Sequence, residues 1–105
     1  MCDCNLSNLG LDLDNFEAII KEHSPSAVIL VHVLGLDSSI EKIVEICDKY
    51  DVIIIEDTCE SLGSSVRGKK LGSFGLASSF SFYFGHHIST IEGGMVCTNN
   101  KEFAD

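Results

Sequence analysis

The chain has 105 residues and a net charge of −9, from 16 acidic against 7 basic side chains. That balance repels phosphates and argues against non-specific binding to DNA, RNA or anionic lipid. No apolar run reaches the roughly 20 residues that span a bilayer, and Met1-Cys2-Asp3-Cys4 lacks the basic-then-apolar order of a signal peptide, so one modest cytoplasmic domain is the expectation.

Asp14-Asn15-Phe16-Glu17 has the form of a helix start, with Asp14 as N-cap and Glu17 reaching back three residues later. Phe16, Ile19 and Ile20 supply an apolar stripe, and Pro25 ends the helix. Ala27 to Leu34 is nearly continuously apolar and β-branched, the pattern of a strand buried on both faces. Ser38-Ser39-Ile40-Glu41 reads as a second capping box, followed by Ile40, Ile43, Val44 and Cys47 on one helical face. Val52 to Ile55 predicts the next buried strand. Two such strands joined by a helix predict a parallel unit, in which ligands sit beyond the carboxyl ends of the strands. Glu56-Asp57 lies at such an end.

Glycines punctuate a loop-rich stretch from Ser61 to Leu76. Ala77 to Tyr83 predicts a third strand, Gly93-Gly94 a sharp turn, and Met95 to Thr98 a fourth short strand. A helix is expected from Lys101 onward, which gives the chain the look of a cut from the middle of something larger. The five cysteines, Cys2, Cys4, Cys47, Cys59 and Cys97, are odd in number and lack zinc spacing; they read as reduced thiols.

Four side chains are candidates for chemistry. Asp57, a carboxylate at the end of a buried strand, is costly unless paired; it could hold a protonated pyridine nitrogen or be only a loop cap. His86 belongs to a residue type that titrates near neutrality and suits proton transfer. The adjacent His87 would point the other way on a strand, which argues against a shared metal, so no metal is expected. Ser81, between Phe80 and Phe82, could donate to a phosphate or simply bond backbone. Glu60, three residues after Asp57, could share its site or be a solvated loop charge.

The order of these residues resembles one family. Ile53-Ile54-Ile55-Glu56-Asp57-Thr58-Cys59-Glu60-Ser61-Leu62-Gly63, the glycine-rich Gly68 to Gly75, Phe80-Ser81-Phe82 and Glu92-Gly93-Gly94 are similar to the sugar aminotransferases that include the DegT, DnrJ, EryC1 and StrS proteins. Val31-His32-Val33-Leu34-Gly35 resembles the family's Val-His-Leu-Phe-Gly strand end. The resemblance implies an α/β fold: a central fragment, residues 1–105, of the large domain of a pyridoxal-phosphate (PLP) dependent, aspartate-aminotransferase-like (fold type I) enzyme. Its sheet would be mainly parallel with flanking helices. The N-terminal phosphate-loop region and the C-terminal small domain would lie outside this segment.

By position, the resemblance places Asp57 at the cofactor's pyridine nitrogen, Glu60 near its phenolic oxygen and Ser81 at its phosphate. His86 falls where the family has its Schiff-base lysine, a bond that imidazole cannot form. Phe84-Gly85-His86-His87-Ile88-Ser89-Thr90-Ile91 resembles the subgroup of dehydratases that remove the C3 hydroxyl from nucleotide-linked 4-keto-6-deoxyhexoses on the way to 3,6-dideoxysugars. That subgroup implies pyridoxamine phosphate as the working cofactor and a GDP- or CDP-linked sugar substrate. It also implies L-glutamate as amino donor and a homodimer. Some relatives carry an iron–sulfur cluster with a cysteine two residues after the aspartate, as Cys59 is; the His-His wording favours the cluster-free type. The alternatives are an aminotransferase of the same family and a fragment without catalysis of its own.

Overall fold

The computed structural model describes residues 1–104. Helix α1 (Leu13–His23) precedes strand β1 (Ala27–Val31), a short 3-10 turn (Val33–Gly35) and helix α2 (Ile40–Tyr50). Strand β2 (Ile53–Asp57) leads to a hairpin of β3 (Ser65–Val66) and β4 (Lys69–Lys70), then to β5 (Ala77–Ser81), β6 (Gly94–Cys97) and helix α3 (Lys101–Ala104). The main sheet has the order β1-β2-β5-β6. The β1–β2 and β2–β5 pairs are parallel, and β6 runs antiparallel to β5. This is the mainly parallel sheet with flanking helices expected above.

Both capping expectations are corrected. The cap of α1 is Asp12, whose side chain accepts from the Asn15 N–H. The Asp side chain reaches N–H groups two or three residues on, so the helix begins at Leu13 and Asp14 lies inside its first turn. Ser39 precedes α2 in the left-handed conformation (φ 62°) and makes no side-chain cap. Ser38 Oγ is buried without a partner among the described residues, so no capping box forms there.

The core lies between the two long helices and one face of the sheet. Phe16 and Ile20 from α1 meet Ile40, Ile43 and Cys47 from α2 over Leu30 and Ile54. The expectation that β1 is buried on both faces is not met among the described residues. Leu30 is buried, but Ile29 is 70% exposed and Val31 47%. The reason is geometric: successive strand residues face opposite ways, and α1 and α2 cover only one side. The same alternation carries Ile53, Ile55 and Asp57 to the open side and Ile54 and Glu56 to the helix side. Glu17 fastens the helices, accepting from Lys49 Nζ (2.8 Å) and the Tyr50 hydroxyl (2.8 Å). Those bonds, Lys49 first, hold its carboxyl at about 2, below the ordinary 4.5.

Ile43 has no exposed surface. Ile43→Ala removes its branch from a packed site and is expected to lower stability by about 2–5 kcal/mol, read as a shift in the urea midpoint with an unchanged slope.

Candidate active site

The carboxyl ends of β1 and β2 converge on one buried node. Glu56, fully buried, accepts four hydrogen bonds. Its Oε2 takes His32 Nε2 (2.8 Å) and the Gly72 N–H (2.7 Å); its Oε1 takes the N–H groups of Phe74 (2.6 Å) and Gly75 (2.7 Å). Burial pushes the carboxyl up, but the bonds from His32, Gly75, Gly72 and Phe74 together outweigh it, and Glu56 sits below its ordinary value. Two glycines let the loop come this close. Gly72 has φ +90°, where a side chain is strained, and a Cβ at Gly75 would run into the Ile54 carbonyl oxygen.

Asp57 follows Glu56 and faces the open side. Its backbone is fixed on both flanks: the His32 N–H donates to the Asp57 carbonyl (3.0 Å), and the Thr58 N–H to the Ser79 carbonyl (3.0 Å). Its Oδ1 accepts from the Cys59 N–H (3.1 Å) and lies 3.5 Å from Ser79 Oγ. Among the described residues no donor reaches Oδ2. That leaves one oxygen of a half-buried carboxylate available to a cationic N–H. The register pairs Asp57 with Ser79, so Asp57, Ser79 and Ser81 share one face. Ser81 Oγ accepts from the Tyr83 N–H (3.2 Å), which leaves its own proton free to donate.

Glu60 and His86 meet in a different place, a cavity of about 420 Å³ lined by Leu34, Glu60, Gly85, His86 and His87. Glu60 Oε2 accepts the Leu34 N–H (3.2 Å), which ties it to the turn after β1. Leu34 holds φ 54°, an uncommon conformation for a non-glycine residue. The His86 N–H donates to the Tyr83 carbonyl (3.0 Å), and its ring lies edge-on to Tyr83 at 6.4 Å. His86 and His87 stand in an irregular turn rather than a strand. The opposite-face argument therefore does not apply to them, and both line the cavity. Among the described residues no group of three or more His, Cys, Asp or Glu is placed to hold a metal ion.

The structure thus brings Glu60 to His86 and Asp57 to the face of Ser81; Asp57 and Ser81 do not line the cavity. Sequence reasoning passed over His32, Ser79 and Leu34. Only His32 carried a signal, a polar residue at the end of an otherwise apolar run. The chemistry available is an acceptor carboxylate beside a hydroxyl donor on the sheet face, and an imidazole with a second carboxylate in the adjoining cavity. These groups fit an aromatic cation that carries a phosphate. Among the described residues no helix is long and apolar enough to cross a membrane.

The profile of the DegT/DnrJ/EryC1/StrS aminotransferase family matches residues 1–105. A GDP-4-keto-6-deoxy-D-mannose 3-dehydratase of Yersinia pseudotuberculosis is 39% identical over 95% of this chain and 25% of its own length. A GDP-perosamine synthase of Caulobacter vibrioides is 35% identical over 99% of this chain and 28% of its own. The E. coli GDP-4-keto-6-deoxy-D-mannose-3-dehydratase with bound hydrated PLP is similar in structure. Its TM-score is 0.87 at 34% identity, over 96% of this chain and 26% of that one. The chain spans about a quarter of the length of the relatives it matches.

Proposed function

Because the chain belongs to the DegT/DnrJ/EryC1/StrS aminotransferase family, we propose that it supplies part of the active site of a PLP-dependent enzyme acting on a nucleotide-linked 4-keto-6-deoxyhexose. It removes the C3 hydroxyl rather than adding nitrogen at C4. The observation that carries this reading is that His86 lines one cavity with Glu60; in the resemblance to the family, His86 falls where the others have the lysine. The similarity to the Yersinia dehydratase supports it.

When bound as pyridoxamine phosphate, the cofactor supplies an amine for the sugar ketone and a ring that accepts electrons. Asp57 holds the pyridine N–H through its unpartnered oxygen, and a negative charge there keeps that nitrogen protonated. Ser81 donates its hydroxyl proton to the phosphate. Glu60, fixed to the Leu34 N–H, would be the residue near the ring's phenolic oxygen. His86 would move the proton: its ring would take it from the cofactor carbon that bears the amine and return it to the departing C3 oxygen, which leaves as water. Because imidazole makes no covalent bond to the cofactor aldehyde, the cofactor is held by contacts alone. The segment does this as part of a longer cytoplasmic chain, in a homodimer, with L-glutamate restoring the amine.

The test is product analysis. The complete enzyme, given cofactor, glutamate and a GDP-linked 4-keto-6-deoxymannose, should yield a 3-deoxy ketone with release of ammonia, read by mass spectrometry. An amino sugar that retains new nitrogen would instead assign the transamination of the perosamine synthases and overturn dehydration.

A further inference from the structure

We propose that His32 and Glu56 are positioning residues for Asp57: a buried imidazole–carboxylate node that locks the carboxyl ends of β1 and β2 to the Gly72–Gly75 loop and so fixes the cofactor-facing carboxylate. The proposal rests on the reading of Asp57 given above.

Glu56 and Asp57 are neighbours in sequence with opposite facings, so a shift in one side chain's anchor moves the other's backbone. His32 holds both ends of the pair. Its ring bonds Glu56 Oε2 at 2.8 Å, and its backbone N–H donates to the Asp57 carbonyl at 3.0 Å. Both His32 and Glu56 have no exposed surface, so neither serves solubility or meets a ligand from solvent. Burying a carboxylate is costly unless every lone pair finds a donor. Here the donors come from His32, just after β1, and from a loop 16 to 19 residues downstream. An apolar pair would fill the same space without that cost; the polar node adds a definite position.

The network also specifies its protons. Three of the four donors to Glu56 are backbone N–H groups, which cannot reverse. Both carboxylate oxygens must therefore accept, and the His32 ring must present Nε2–H. Nδ1 is buried with no partner among the described residues, so a proton there would be a donor without an acceptor. Glu56→Gln keeps the shape but not this pattern. If its oxygen serves Phe74 and Gly75, its NH₂ group confronts the Gly72 N–H, and the loop must give way. His32→Gln places an amide N–H close to where Nε2–H stood. His32→Leu removes the donor at similar volume.

The experiment uses the complete enzyme and PLP as probe, reading the dissociation constant and the pH titration of the bound cofactor's near-ultraviolet absorbance. Glu56→Gln should weaken PLP binding at least about tenfold, the range of one lost charge-assisted bond, and displace the absorbance titration. His32→Leu should do the same in smaller degree, and His32→Gln should restore both. Variants that melt at lower temperature but keep the unaltered dissociation constant and titration would assign the node to stability alone and overturn the proposal. If Glu56→Gln does not fold, the His32→Leu and His32→Gln pair decides on the same readouts. In the unaltered enzyme, ¹⁵N spectra of labelled histidine should place the His32 proton on Nε2; a proton on Nδ1 overturns the network. Failure of the unaltered enzyme to bind PLP would instead sink the reading of Asp57, and this proposal with it.

Discussion

In the complete enzyme, His86→Asn is expected to lower turnover by about 10²–10⁴-fold, the range that one positioned acid–base group contributes, while cofactor binding stays near the unaltered level. Asparagine keeps a polar side chain in the cavity beside Glu60 and Leu34 but cannot carry a proton between two atoms. Loss in kcat with little change in KM would mark a group that acts in the transition state. His86→Lys tests the position from the other direction. An amine there can bond covalently to the aldehyde cofactor, so the variant should acquire a borohydride-reducible, visible-absorbing adduct and lose dehydration. A His86→Asn variant with unchanged turnover would remove His86 from the mechanism, and a His86→Lys variant without the adduct would remove it from the cofactor.

Asp57→Asn should be nearly as damaging, and for a different reason. The change keeps size and leaves the Cys59 N–H and Ser79 Oγ contacts within reach, but it withdraws the negative charge. A hydrogen bond between charged partners contributes about 1.5–3 kcal/mol, so cofactor affinity should fall roughly 10- to 100-fold. Turnover should fall further, because a pyridine that is not held protonated draws electrons less well. The measurement is PLP affinity by fluorescence together with kcat at saturating cofactor. Affinity and kcat both unchanged would mean that Asp57 is only the loop cap that its bond to Cys59 would make of it.

Much of the architecture was legible locally. Phe16, Ile19 and Ile20 repeat at helical spacing, and the apolar run from Val52 to Ile55 marks β2 within a residue or two. Boundaries were less legible, because an acidic or hydroxyl residue near a helix start offers several caps. Asp12 won over Asp14 by reaching the Asn15 N–H, and Ser39 took a left-handed conformation and makes no side-chain cap. The hairpin of β3 and β4 was missed because each strand is only two residues long, too short for any period to show.

The four candidate side chains sorted into two places that spacing could not separate. Glu60 is near Asp57 in sequence, yet its carboxylate reaches across to Leu34, 26 residues away. His86 and His87 were expected to diverge, but a turn has no two-residue alternation, and both reach one cavity.

By itself the sequence determined the succession of the longer helices and main-sheet strands and the acidic pair at a strand end, since each depends on neighbours within a few residues. Only the tertiary structure decided which face of the sheet is covered and that Glu56 is an internal anchor while Asp57 faces the open side. The same holds for His32, whose ring bonds Glu56 and whose N–H donates to the Asp57 carbonyl. The anchoring of Glu56 depends on donors that lie 16 to 24 residues from it in sequence, and the path of the chain brings them together where no local period could.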